Sequence, residues 1–107
     1  MTKIVSKVNE LDEMLRSKKG AVVLFYASWC PYSQEFLPVF EKLANSKPVG
    51  FCRVMTDEMT ECEEKYSIDT VPTVIFFKNG KISKRLDGIP GRGLDERQLV
   101  EMLKSCE

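Results

Sequence analysis

The residues of this 107-residue chain whose types and placement could do chemistry are Trp29-Cys30-Pro31-Tyr32-Ser33. The apolar run Ala21 to Ala27 stands before them and a helical pattern begins at Pro31. Cys30 is therefore expected at or just before a first helical turn. Unpartnered backbone N–H groups and the helix dipole favour an anion there, and a thiolate is the anion this segment can supply. Pro31 suits a first helical position, because it gives up only an N–H that had no partner and arrives with φ already set. This setting predicts an exposed, nucleophilic Cys30 rather than a buried inert thiol. Trp29 and Tyr32 are expected to line a partner contact surface beside it, and Ser33 to lie on the helix surface.

Other chemistries find less support. There is no His, and Cys30, Cys52, Cys62 and Cys106 form neither C-x-x-C pairs nor a disulfide framework, so no metal site and reduced thiols are expected. Cys52 in mid-strand and Cys62 on an apolar stripe read as core residues, and Cys106 as an exposed thiol near the C-terminus. Sixteen basic and sixteen acidic residues give no net charge to draw in nucleic acid or anionic lipid. No apolar run approaches the roughly 20 residues that span a bilayer. Met1-Thr2-Lys3-Ile4 does not open a signal peptide, so the expectation is a cytoplasmic protein unless a leader has been removed.

One α/β domain over residues 1–107 must position the cysteine. A short strand near Ile4 is followed by an amphipathic helix carrying Leu11, Met14 and Leu15, with Asn9 as its cap and Val8 as a staple, ended by Lys18-Lys19-Gly20. The run from Ala21 to Tyr26 lacks alternation and suits a central strand covered on both faces. Pro31 to Asn45 reads as a helix with Phe36, Leu37, Phe40 and Leu43 on its inner face and a kink at Pro38. Val49 to Met55 reads as a strand, and Asp57 as the cap of a short helix holding Met59, Cys62 and Tyr66. Thr73 to Lys78, Asn79-Gly80 and Lys81 to Leu86 form a hairpin. After a Gly88–Gly93 loop, Leu94 to Cys106 is a last helix, with Asp95-Glu96-Arg97 as solvated surface. The fold class is a mixed sheet, parallel strands plus a C-terminal antiparallel hairpin, with helices on both faces.

The motif Trp29-Cys30-Pro31-Tyr32-Ser33 resembles the W-C-x-x-C active site of thioredoxins and glutaredoxins. Phe25-Tyr26-Ala27-Ser28 before it, Pro38, Lys65-Tyr66-Ser67-Ile68, Val71-Pro72-Thr73 and Phe77-Lys78-Asn79-Gly80 are similar to thioredoxin and protein disulfide isomerase domains. The resemblance covers almost the whole chain and implies the thioredoxin fold, with no metal or organic cofactor. It also implies that Val71 and Pro72 form a cis-proline segment facing Cys30, and that Gly88 belongs to the neighbouring substrate-binding loop.

Two departures shape the expected mechanism. Ser33 stands where the family has its resolving cysteine, and a hydroxyl cannot displace a mixed disulfide as a thiolate does. Leu24 stands where thioredoxins bury an Asp, and Arg53 falls near the family's partly buried Lys, where it is expected to hold positive charge close to the site. The resulting expectation is a monomeric thiol–disulfide exchange protein acting through Cys30 alone. Its partners would be disulfide-containing proteins, glutathione or a thioredoxin-type reductase. Alternatives are a non-enzymatic binding module using the groove beside Pro72, and a dithiol thioredoxin whose resolving cysteine has been replaced by Ser33. A glutaredoxin-like iron–sulfur carrier is opposed by Trp29 and the thioredoxin-like flanks.

Overall fold

The computed structural model describes residues 2–17, 20–44, 46 and 49–105. Its elements run β1 (Lys3–Val5), α1 (Val8–Ser17), β2 (Gly20–Tyr26), α2 (Pro31–Leu43), β3 (Gly50–Met55), α3 (Thr60–Lys65), β4 (Thr73–Lys78), β5 (Lys81–Asp87) and α4 (Glu96–Lys104). One five-stranded sheet has the order β1-β3-β2-β4-β5, with β1–β3 and β2–β3 parallel and β2–β4 and β4–β5 antiparallel. This is the expected mixed sheet. β2 is its central strand, and all seven of its residues are buried, as a run without alternation requires.

Alternate residues of β2 feed two cores. Val23 and Phe25 face one layer with Leu11, Leu15, Cys52, Cys62, Tyr66 and Phe77, beneath α1 and α3. Val22, Leu24 and Tyr26 face the other, with Phe36, Phe40, Val74, Phe76, Leu99 and Leu103, beneath α2 and α4. Helices thus cover both faces, and Cys52 and Cys62 are core residues as the sequence suggests.

Element ends differ from the sequence reading where tertiary contacts compete. α1 starts at Val8, with the Leu11 N–H donating to the Lys7 carbonyl, so Asn9 lies inside the helix and is not its cap. α3 is preceded by Met59, not capped by Asp57, whose carboxylate is taken by Ser28. α2 ends at Leu43 with Ala44 extended, and it runs on through Pro38. The expected helical positions Asn45 and Cys106 and the stop at Lys18-Lys19 lie outside the described residues. Asn79 and Gly80 both take positive φ, 53° and 81°, as a two-residue hairpin turn demands. Asp95 is more than solvated surface. It caps α4 in a reciprocal capping box with Gln98.

Candidate active site

The chain leaves the central strand at Tyr26, turns through Ala27-Ser28-Trp29 and enters α2 at Pro31. Cys30 is the N-cap of α2, with extended backbone (φ −85°, ψ 120°), and its carbonyl accepts the first helical bond, from the Gln34 N–H at 3.0 Å. Pro31 occupies the first helical position and is exposed. No side chain caps this helix, so the turn keeps donors free beside the Cys30 sulfur.

Three side-chain interactions hold the turn. Asp57 accepts from the Ser28 N–H at 3.2 Å and from its hydroxyl at 2.7 Å, and the Gln34 amide donates to the Ser28 carbonyl. The Ser28 hydrogen bond is the main cause that keeps the Asp57 carboxyl below the usual carboxylate range. From inside, the Ala27 N–H donates to the Ser33 hydroxyl at 3.2 Å. Ser33 is fully buried, which corrects the expectation of a surface residue. It shares the inner stripe of α2 with Phe36 and Phe40, and the i, i+3, i+7 spacing is the signal that would have found it.

Cys30 is only 5% exposed, not the open thiol expected. The reason lies across the turn, where the Val71–Pro72 peptide is cis and the Cys30 thiol stands 3.8 Å from the Val71 carbonyl, donating to it. This segment covers the sulfur from one side and leaves it bordering a cavity of about 330 Å³. Trp29, Cys30, Tyr32 and Val71 line that cavity, and Trp29 is 70% exposed at its rim. Pro72 and Gly88 do not line it. Both are buried behind the wall, and a Cβ on Gly88 would stand 2.5 Å from the Pro72 carbonyl oxygen. Gly93, at φ 71°, packs its backbone against Tyr32 in the same way. The 88–93 loop is therefore pressed against both the Val71–Pro72 segment and the first turn of α2.

Arg53 is not at the site. It donates to Glu41 at 2.6 Å, and Glu41 lies eleven residues beyond Cys30 on α2, about 16 Å along the helix. Burial would raise the Glu41 carboxyl, but hydrogen bonds from Thr2 and Arg53 outweigh it and hold the group below its ordinary value. The other described thiols are remote from solvent. Burial pushes Cys52 up to about 12 and also raises Cys62. Among the described residues there is no His/Cys/Asp/Glu cluster suited to a metal, and no helix is long and apolar enough to cross a membrane.

Sequence reasoning missed much of the cavity wall: Thr56 and Asp57 after β3, Glu63 on α3, Ile68 to Thr70, and Ile89 to Gly91. These lie far apart in sequence, and only the adjacency of some of them to Val71-Pro72 and Gly88 hinted at them.

The chain as a whole has counterparts among known proteins. The thioredoxin family profile matches residues 2–105. A thioredoxin of Mycoplasmoides gallisepticum is 38% identical over 104 residues, covering 95% of this chain and 99% of that protein. Monothiol glutaredoxin-S17 of Arabidopsis thaliana is 43% identical over 86 residues, 79% of this chain but 17% of that longer protein. The solved structure of Plasmodium falciparum thioredoxin superposes with a TM-score of 0.88 at 27% identity, covering 96% of this chain and 97% of that one. Fold and sequence agree, and the chain belongs to the thioredoxin family of thiol–disulfide redox proteins.

Proposed function

We propose that this chain carries out thiol–disulfide exchange with Cys30 as its single nucleophile, on protein disulfides or small disulfides, and that an external thiol such as glutathione completes the cycle. The observation that carries this reading is the pairing of Cys30, bordering the cavity, with a buried hydroxyl at position 33 where a second thiol would resolve the adduct. In the first step the Cys30 thiolate attacks one sulfur of the substrate disulfide. A Cys30–substrate disulfide forms, the substrate S–S bond breaks, and the departing thiolate takes a proton. In the second step an external thiolate attacks the substrate sulfur, and Cys30 leaves as thiolate. One disulfide is consumed and one formed at each step, so electrons balance without a cofactor. Val71, Pro72 and Gly88 set the shape of the wall that Cys30 faces, while Trp29, Pro31 and Tyr32 offer the partner an exposed surface around it.

The test compares the wild-type chain with Ser33→Cys. Incubated with a model disulfide and no other thiol, the wild type accumulates a stable Cys30 adduct by mass spectrometry, whereas Ser33→Cys releases its substrate as thiol once, keeps an internal disulfide with Cys30, and turns over as a reductase when dithiothreitol is added. Failure of the wild type to form any Cys30 adduct in the folded state would remove the redox assignment. The 5% exposure of Cys30 favours one second reading, a binding module that holds a client in the cavity without exchange. On that reading Cys30→Ala leaves client binding intact, whereas exchange requires covalent capture to vanish.

A further inference from the structure

The cavity beside Cys30 has walls of two characters. Trp29, Ile89 and Pro90 give it an apolar side, while Asp57, Glu63 and Asp69, all exposed, line it with three acidic residues. None of its lining residues is a Lys or Arg. Among the described residues, some carboxylates elsewhere are paired with a cation, such as Asp12 with Lys65, Glu41 with Arg53 and Glu96 with Lys42, while others on the open surface, such as Glu35 and Glu58, are not, so what sets the cavity apart is that three acidic residues meet there with no lining cation. Among the described residues, no ion pair joins Asp57, Glu63 or Asp69 to a cation. The cations nearest in sequence are engaged or turned away. Lys65, on α3 with Glu63, is held by Asp12, and Arg92 borders the neighbouring hollow with Asp95. Asp57 is kept ionised by its hydrogen bonds from Ser28, so its charge is present at neutral pH.

We infer that the cavity selects disulfides carrying positive charge beside the sulfur, such as a cystine flanked by Lys or Arg or a small aminothiol disulfide, over the anionic disulfide of glutathione. This selectivity rests on the exchange reading above and specifies its substrate. A cation within about 10 Å of three unpaired carboxylates is attracted and an anion repelled, and the effect on rate is largest where the Debye length exceeds that distance. With cystamine, Cys30 forms the disulfide to an aminoethyl group, the cystamine S–S bond breaks, and cysteamine leaves as thiolate and is protonated. Oxidised glutathione reacts by the same bond changes, so the two probes differ in charge and in leaving group.

The experiment measures second-order rate constants for adduct formation on Cys30 with cystamine and with oxidised glutathione, in the wild type and in Asp57→Asn/Glu63→Gln/Asp69→Asn. The readout is the ratio of the two constants. Leaving-group differences and any general change in Cys30 reactivity cancel when that ratio is compared between proteins. At about 10 mM salt the ratio is expected to fall at least about 5-fold in the triple variant, and the difference to shrink below about 2-fold in about 0.5 M salt. Glu96→Gln/Glu101→Gln removes charge from α4, none of whose residues lines the cavity, and is expected to keep the wild-type ratio. Should the triple variant fold poorly, the single variants Glu63→Gln and Asp69→Asn decide, because each is expected to lower the ratio at low salt, with the difference shrinking as salt rises. An equal ratio in wild type and triple variant, or in wild type and both single variants, or an equal fall in the α4 variant would overturn the selectivity while leaving the exchange reading intact. Absence of a Cys30 adduct with either probe would instead remove the exchange reading, and the selectivity with it.

Discussion

Two kinds of cysteine environment coexist within the same sheet and its covering helices. Cys52 and Cys62 sit in the layer under α1 and α3, where burial holds the thiol protonated and apolar side chains surround it. Cys30 is nearly as little exposed, at 5%, yet it stands at the start of α2 against a cavity and beside the Val71 carbonyl. Solvent exposure therefore does little to separate Cys30 from the two core cysteines. What separates them is the element that ends at the sulfur: a strand interior or a helix surface for the core cysteines, the mouth of a helix for Cys30.

The largest expected effect that would break this contrast is chemical. Cys30→Ser should lower adduct formation with a model disulfide by at least about 100-fold, since Cys52 and Cys62 have no route to replace it. Mass spectrometry of the trapped product checks this, and a variant that retained a tenth of the wild-type rate would show that a core thiol is reachable. Next comes stability against pH. The Cys52 thiol is raised in the folded state above its unfolded value of ~8.5, so its contribution is fully present below that pH and is lost as pH climbs towards about 12. The unfolding free energy from urea titration should drop by about 2 kcal/mol more between pH 8 and pH 10 in the wild type than in Cys52→Ala. Equal slopes would mean that Cys52 ionises freely and that the two environments are alike.

A comparable or smaller change is expected from Cys62→Ser, which places a hydroxyl in the apolar layer and should cost about 1–3 kcal/mol in urea unfolding, with Cys30 reactivity unchanged. The smallest concerns Ser33, the buried hydroxyl at the site. Ser33→Ala leaves the Ala27 N–H without its acceptor and should cost about 1 kcal/mol, together with a measurable change in Cys30 alkylation rate as the 27–30 turn loosens. A stability loss without any change in alkylation would reduce Ser33 to a packing residue.

The parts of the molecule legible in the sequence were those decided by neighbours along the chain. β2 declared itself by an unbroken apolar run, the β4–β5 hairpin by Asn79-Gly80, and the place of Cys30 at a helix start by a strand ending where a proline opens a helix. Thr73–Lys78 was bounded correctly because its turn fixes the end. The caps were misread because the decisive partner was distant: the Asp57 carboxylate suits a helix start, but Ser28, 29 positions earlier, captures it. Arg53 was misplaced for the same reason, as Glu41 draws it away from Cys30. The cavity walls were the least legible, since four separate segments meet there and none carries a local pattern that announces it.

The contact between Gly88 and Pro72 sets a limit on how this groove can vary. A single methyl group at position 88 would collide with a main-chain oxygen, not with a side chain able to swing aside. Depth and polarity beside the sulfur can be retuned by exchanging rim residues, but the gap between these two backbones is a fixed gauge. Any substitution at Gly88 has to shift one whole segment relative to the other, and the thiol at the helix mouth would register that shift as a changed distance to its carbonyl neighbour.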